Sequence, residues 1–217
     1  MEKVIGVDLR QAASAPRPDF ADLEVPDSRA PEKFVDALSE IVGANSVAVD
    51  DMARVVHTYG KSLRDLVRVR AGAIARTPDV VVYPADEAEV RAVVDMAVDL
   101  DAVIIPFGGG SNIAGSLEPH ADEDRVVVSL DLGRLRRVLD IDTDSGTARI
   151  QAGALGPDLE AQLNEAGWTL GHFPESFTHS TLGGWVATRS SGMQSDKYGD
   201  IADIVRDCAS YGPAASW

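Results

Sequence analysis

Apolar residues in the first third of the chain recur at the three- and four-residue spacing that is typical of helices. Between residues 31 and 42 this spacing places four apolar side chains on one face: Phe34, Leu38, Ile41 and Val42. Similar shorter patterns over residues 47–57 and 62–70 predict two more helices. Residues 1–30 contain scattered Pro, Ala and Asp and predict an extended lead-in. We therefore predict a helical segment over residues 31–76.

A different pattern begins at residue 77. The apolar run at residues 79–83 ends at Pro84, which predicts a strand. A helix should begin at Asp86, and its predicted buried face consists of Val90, Val93, Val94, Ala97 and Val98. Residues 102–106 predict a second strand. A β-α-β unit therefore leads directly into a glycine-rich segment.

Short strands dominate the next part of the chain. The predicted strands are residues 126–130, 135–141 and 147–152, and residues 137–152 form a predicted β-hairpin. A helix is predicted from Gly156 to Ala166, with Gly167 ending it. This mixture predicts an α+β fold of two α/β subdomains that join near residues 132–145.

The charge balance limits the choice of partners. The formal net charge is −15, so nucleic-acid binding is not expected, because phosphate neutralisation needs clustered Lys and Arg. Two small basic clusters exist and are interpreted as solvated faces. Their members are Arg64, Arg68 and Arg70 in the first, and Arg134, Arg136 and Arg137 in the second.

The cellular compartment is predicted from three features that the sequence lacks: a pair of cysteines, a secretory signal and a long apolar stretch. Cys208 is the single cysteine and cannot form a disulfide within the chain, which fits a reducing compartment. Residues 1–20 show no secretory signal, and no stretch reaches 18 apolar residues. We therefore expect a cytoplasmic protein without a transmembrane segment. No His or Cys spacing suggests a metal site.

The first glycine-rich segment follows the β-α-β unit and reads Pro106-Phe107-Gly108-Gly109-Gly110-Ser111-Asn112. Glycine permits positive φ values and leaves backbone N–H groups open to an anion. A tight turn without a ligand is the alternative interpretation. The phosphate-binding P-loop is excluded because residues 102–124 contain no Lys or Arg. The spacing of the glycines also differs from the Rossmann dinucleotide motif.

The second segment, residues 175–191, places Ser and Thr hydroxyls on both sides of Gly183-Gly184. Hydroxyl groups both donate and accept, as a ligand with a ribityl chain, a ring edge and phosphates requires. Considered alone, the segment is better interpreted as a Ser/Thr-rich loop that caps a helix over residues 182–188. The two segments together favour a long ligand that carries phosphate.

The order of these motifs resembles a known family. Pro106 to Ser111 is followed by the Gly-His-x-Pro-x-Ser motif of residues 171–176 and the Gly-Gly-Trp-Val-x-Thr-Arg-x-Ser-Gly-Met motif of residues 183–193. This order resembles the FAD-binding domain of the vanillyl-alcohol-oxidase/p-cresol-methylhydroxylase (PCMH) type. Within that superfamily, residues 50–205 look most like alkyldihydroxyacetone-phosphate synthase and its bacterial relatives. The resemblance implies a PCMH-type FAD-binding fold over residues 77–206.

The resemblance also implies which residues bind FAD, and that the FAD is not covalently attached, because no equivalent of the family's His or Cys link is evident. The implied residues form three segments. They are Pro106, Phe107, Gly108, Gly109, Gly110, Ser111 and Asn112; Glu175, Ser176, Phe177, Thr178, His179, Ser180 and Thr181; and Thr188, Arg189, Ser190 and Ser191. Glu175 departs from the family pattern, in which Asp is frequent.

For function, the resemblance implies ether lipid synthesis. A fatty alcohol replaces the acyl group of acyl-dihydroxyacetone phosphate, and FAD acts as an electron sink without net oxidation. The family's catalytic residues lie in a later cap half, so no catalytic residue is assigned here. Residues 207–217 show no strand alternation. We therefore expect a truncated or frame-shifted product that lacks the cap domain and is inactive alone.

Two alternatives remain open. One is an FAD-dependent 2-hydroxy-acid oxidase or dehydrogenase of the glycolate or D-lactate type, which shares the FAD-binding domain. The other is a non-catalytic remnant that binds FAD weakly or is unstable.

Overall fold

The structure is a computed structural model that describes residues 18–212. In this range the helices are α1 Glu32–Val42, α2 Asp51–Val56, α3 Leu63–Arg70, α4 Glu87–Asp99, α5 Gly156–Glu165, α6 Leu182–Thr188, α7 Ser195–Tyr198 and α8 Ile201–Ile204. The strands are β1 Val47–Ala48, β2 Val80–Val82, β3 Val103–Phe107, β4 Val127–Asp131, β5 Val138–Asp142 and β6 Thr147–Ile150. The predicted lead-in falls largely on residues 1–17, which lie outside the described range.

A sheet in the order β1-β2-β4-β3 organises the first half of the chain. β1 pairs antiparallel with β2, and β2 pairs parallel with β4. All three residues of β2 are fully buried, as are Val127 and Val128 of β4. Strands that are covered on both faces have continuous apolar sequences instead of alternating ones, which explains the valine run of β2.

The helix predicted over residues 47–57 is wrong in its first part. Val47 and Ala48 form β1 and pair with Val82 and Val81. The helix begins only after Asp50, whose Oδ1 accepts a hydrogen bond from the Ala53 N–H at 3.0 Å. Asp50 is a strong N-cap residue, so the helix begins there, while the β-branched Val47 extends the sheet.

The chain divides into two compact units. The first consists of residues up to 82, 96–106 and 112–130, and the second of residues 83–95, 107–111 and 131 onwards. The junction predicted near residues 132–145 begins close to the last crossing of the chain between these units. The last crossing lies between Leu130 and Asp131, and the chain crosses several times before it.

A buried ion pair stabilises the first unit at the entrance to β2. Arg76 donates to both carboxylate oxygens of Asp79 at 2.7 Å, and both side chains are buried. The backbone N–H groups of Arg29 and Val127 each donate to the same carboxylate at 2.8 Å. Burial alone would raise the pKa of Asp79, but these hydrogen bonds outweigh it and hold the pKa below its ordinary value.

The second unit has its own core and the predicted hairpin. β5 pairs antiparallel with β6, with a register irregularity near Val138. Beside it, the core consists of Ala154, Leu159, Leu163, Trp185 and Ile201. Residues 206–212 form neither helix nor strand.

Two details of the predicted faces need correction. Val98 was predicted on the buried face of α4, but it is 51% exposed, while the other four predicted residues are buried. Arg68 was interpreted as part of a solvated face, but it is buried, it lies over the Tyr59 ring at 4.7 Å and it pairs with Glu118 at 2.6 Å. Between residues 18 and 212, no helix is both long and apolar enough to cross a bilayer.

Candidate functional site

The first glycine-rich segment begins at the last residue of β3. Of its three glycines only Gly110 has a positive φ, at 65°. Gly108 and Gly109 are needed for another reason. A Cβ at Gly108 would overlap the Thr181 Oγ1, and a Cβ at Gly109 would overlap the His179 carbonyl oxygen. Two of the three glycines therefore allow the second segment to approach the first.

The backbone N–H groups of this segment have no acceptor in the described part of the chain. Gly108, Gly109, Gly110 and Ser111 donate no hydrogen bond to any residue between 18 and 212. Gly110 is itself buried. A buried N–H without a partner costs free energy, and consecutive N–H groups of this kind form anion-binding concavities. The segment can therefore bind a phosphate through its backbone.

The second segment is fixed by its own polar side chains. The Ser180 hydroxyl accepts from Trp185 Nε1 at 2.6 Å and donates to the Ser176 carbonyl oxygen at 2.8 Å. The Thr181 Oγ1 accepts from the Gly184 N–H at 3.3 Å and caps α6. The helix-capping interpretation is therefore confirmed. It does not exclude ligand binding, because Thr178 and His179 remain exposed.

A cavity of about 310 Å³ lies where these segments meet within the second unit. Of the predicted site residues, Gly108, Gly109, Thr178, His179 and Thr181 line it. The loop after β4 and the turn before α5 complete the wall. With the last residue of β4 and the first turn of α5, they contribute Asp131, Gly133, Arg136, Gly153, Leu155 and Asp158.

Sequence reasoning missed the residues from these two additional segments. Arg136 was assigned to a solvated face, and Asp158 was included only in the helix predicted from Gly156 to Ala166. One signal was available. Arg136 follows β4 closely in sequence, at the same end of the strand as Asp131, and strand ends in parallel sheets commonly carry ligand-binding loops.

The third predicted segment does not line this cavity. Arg189 has a left-handed backbone with φ 52°, a conformation that costs free energy for a residue other than glycine. The Ser190 hydroxyl lies 2.8 Å from Nε2 of His172. His172 is buried, its ring meets Trp185 edge-on at 5.2 Å, and burial lowers its pKa. A neutral imidazole therefore fixes the position of the Ser190 side chain.

Several other predicted residues have structural tasks or lie apart from the cavity. The Asn112 Oδ1 accepts from the backbone N–H groups of Ala114 and Ser116, so it holds its own loop. Phe177 stacks on Trp185, with ring centroids 6.2 Å apart. Pro106 belongs to the first unit with Asn112, and Glu175 is exposed.

A larger cavity of about 1140 Å³ lies elsewhere in the second unit. It is lined by β5, β6 and residues of α6, and by none of the predicted site residues. Its wall lacks the glycine segment with free N–H groups. The smaller cavity is therefore the better candidate for a phosphate-bearing ligand.

Comparison with known families identifies the domain. Residues 78–209 match the family described as FAD binding domain. The chain belongs to this FAD-binding family. Its cofactor is FAD, and the PCMH-type fold expected from the sequence motifs is confirmed by similarity to a solved structure. That structure, an alkyldihydroxyacetonephosphate synthase, matches at TM-score 0.84 and 46% identity, over 87% of this chain and 36% of that chain.

Curated relatives of this FAD-binding domain carry the same name. The alkyldihydroxyacetonephosphate synthase of Dictyostelium discoideum is 50% identical over 180 residues, which cover 83% of this chain and 29% of the relative. The glycolate oxidase subunit GlcD of Bacillus subtilis is more distant, at 28% identity over 128 residues, which cover 59% of this chain and 26% of that protein. The chain spans about a third of the length of the synthases it matches.

Proposed function

We propose that this chain binds FAD non-covalently, with the diphosphate held by the backbone N–H groups of residues 108–111. The observation that carries the proposal is that these N–H groups have no acceptor within residues 18–212. A diphosphate supplies several acceptor oxygens, and backbone amides can bind it without a net positive charge on the protein. The predicted FAD-binding segments 106–112, 175–181 and 188–191 are part of this proposal.

The residues around these N–H groups would orient the cofactor. The Ser180 and Thr181 hydroxyls hydrogen-bond to Trp185 and Gly184 of α6. The second segment also packs closely on Gly108 and Gly109, so the loop is already in place before a ligand arrives. A preformed loop loses less conformational entropy on binding. Thr178 and His179 line the same cavity and supply exposed polar groups toward it.

For the protein as a whole, we propose the exchange reaction of alkyldihydroxyacetonephosphate synthase. In this reaction a fatty alcohol replaces an acyl group on dihydroxyacetone phosphate. The support is the 50% identity to the Dictyostelium synthase, compared with 28% to the glycolate oxidase subunit. FAD when bound supplies an electron sink, and a fold supplies binding and orientation. The lipid-like substrate, the cytoplasmic location and the domain boundaries stay predictions.

Flavin binding tests the first proposal directly. The 217-residue protein is titrated with FAD, FMN and riboflavin, and quenching of flavin fluorescence gives each affinity. We expect FAD to bind more tightly than riboflavin, because only FAD carries the diphosphate. We also expect acid denaturation to release all of the flavin. Equal affinities would refute the diphosphate assignment, and flavin that stays on the denatured chain would refute non-covalent binding.

The enzymatic alternatives are separated by substrate assays on a version of the protein that carries a cap domain, because the 217-residue chain is expected to be inactive alone. Anaerobic bleaching of bound FAD by glycolate or D-lactate would favour the hydroxy-acid hypothesis. Formation of labelled alkyl-dihydroxyacetone phosphate and a free fatty acid, from acyl-dihydroxyacetone phosphate and a labelled fatty alcohol, would favour the exchange reaction. A folded, protease-resistant 217-residue chain that takes up no flavin would support a plain binding or structural role, whereas rapid degradation would support the remnant hypothesis.

A further inference from the structure

The charged side chains that line the smaller cavity differ in whether they already have a hydrogen-bond or ion-pair partner. Among the described residues that line it, Arg136 is the only Lys or Arg, and the carboxylates are Asp131 and Asp158. The Asp131 Oδ1 already accepts from the Gly133 N–H at 2.7 Å. In contrast, neither the Arg136 guanidinium nor the Asp158 carboxylate has a hydrogen bond or ion pair with any residue between 18 and 212.

One glutamine holds the backbone of both unpaired residues. Gln162 Nε2 donates to the Arg136 carbonyl oxygen at 3.1 Å and to the Asp158 carbonyl oxygen at 3.0 Å. Its Oε1 accepts from the Val138 N–H at 2.9 Å. The backbones of Arg136 and Asp158 are therefore held in place, yet their charged groups do not pair with each other.

The neighbouring arginines behave differently, although the sequence groups all three together. Arg134 donates from Nη1 to the Tyr83 carbonyl oxygen at 2.9 Å and lies over the Tyr83 ring at 5.7 Å. Arg137 is exposed, as Arg136 is, but it does not line the cavity. Of Arg134, Arg136 and Arg137, only Arg136 both lines the cavity and has a guanidinium without a partner among the described residues.

We propose that Arg136 binds the diphosphate of FAD in the cavity that it lines together with Gly108 and Gly109, two of the residues with free N–H groups. The inference rests on the proposed function. Backbone amides supply hydrogen bonds but no net charge, whereas the diphosphate is an anion that enters a chain of net charge −15. A guanidinium supplies the missing positive charge and can bind two phosphate oxygens at once.

The proposal also predicts that Asp158 has the opposite effect on FAD affinity from Arg136. Its carboxylate lines the same cavity without a cation of its own, so it repels a phosphate there. Asp158→Asn removes this repulsion with little change in size. We therefore expect Arg136→Gln to weaken FAD binding and Asp158→Asn to strengthen it. If the cavity held the ribose hydroxyls of FAD instead, the carboxylate would accept hydrogen bonds and the Asp158→Asn variant would bind more weakly.

The test compares Arg136→Gln with the matched control Arg137→Gln. FAD and riboflavin affinities of each variant of the 217-residue protein are measured by fluorescence quenching at low and at moderate salt. Loss of a charged hydrogen bond predicts a dissociation constant for FAD raised about tenfold or more in Arg136→Gln. Its salt dependence should also decrease. Riboflavin binding and the apo melting temperature should match those of Arg137→Gln.

The outcomes separate the two levels of the proposal. If the unmodified protein binds no FAD, the proposed function fails and this inference fails with it. If the unmodified protein binds FAD and the two glutamine variants bind it equally well, only the Arg136 assignment is refuted. An Arg136→Gln variant that loses FAD and riboflavin equally would also refute it, because the phosphate would not be the group contacted.

Discussion

The close approach of the two segments predicts a specific effect of Gly109→Ala. A Cβ at this position would lie 2.6 Å from the His179 carbonyl carbon and 3.0 Å from the Ser180 Cα. Both neighbours are backbone atoms, so no side chain can rotate away and one of the two loops must move. Overpacking of this kind costs roughly 1–3 kcal/mol. Ala also restricts the unfolded chain, which offsets roughly 0.4–1 kcal/mol of that cost.

The expected result is lower thermal stability together with weaker FAD binding. For a chain of this size each kcal/mol corresponds to about 2–4 °C, so a net cost of up to about 2.6 kcal/mol should lower the melting temperature by up to about 10 °C. Circular dichroism follows the melting, and a flavin titration follows the affinity. Affinity should fall as well, because displacement of the segments changes the cavity wall that both segments form.

Two other glycines serve as controls for this experiment. Gly212→Ala meets nothing within 4 Å and has no positive φ, so both measurements should stay unchanged. Gly43→Ala also meets nothing, but Gly43 has φ 82°, so backbone strain should lower the melting temperature without affecting FAD. The reasoning is refuted if Gly109→Ala melts and binds FAD like the unmodified protein.

Two further predictions concern buried charge. Arg76→Met leaves the Asp79 carboxylate buried without its cation, and the free energy of unfolding should fall by about 3–5 kcal/mol in urea titrations. The same change at the exposed Arg125, which pairs with Glu123, should leave the midpoint unchanged, and equal losses would contradict the argument. Burial lowers the pKa of His172, so the unfolded chain takes up this proton at higher pH than the native chain does. Stability should therefore decrease as pH falls below about 6.5, and His172→Asn should reduce that slope in urea unfolding at several pH values; an unchanged slope would count against it.

Local elements could be predicted from the sequence because local interactions decide them. The buried face of α4 follows from the spacing of its valines, and α3 begins at Ser62, which forms a capping box with Asp65. The error at Val98 has a physical cause. The residue lies at the edge of the apolar stripe, where exposure depends on neighbouring elements that periodicity does not reveal.

Long-range features could not be predicted from the same patterns. Val47 pairs with Val82, which is distant in the chain. Strand β1 has only two residues, too few for alternation of apolar and polar residues to reveal it. The glycines were predicted to make room for a ligand. At Gly109, however, glycine is required because a side chain would overlap the His179 carbonyl oxygen. The place of Arg136 in the cavity depends on the hydrogen bonds of Gln162, which composition does not show.

The packing of the two segments and the binding of an anion depend on each other. Gly108 and Gly109 let the second segment approach, while the N–H groups of the same residues stay without acceptors in the described chain. A buried N–H without a partner, such as that of Gly110, costs roughly 1–3 kcal/mol. A phosphate that accepts from these groups removes this cost, so the ligand should bind the folded chain and not the unfolded one. By linkage, FAD should then raise the melting temperature as its concentration increases, and riboflavin, which lacks the diphosphate, should raise it less.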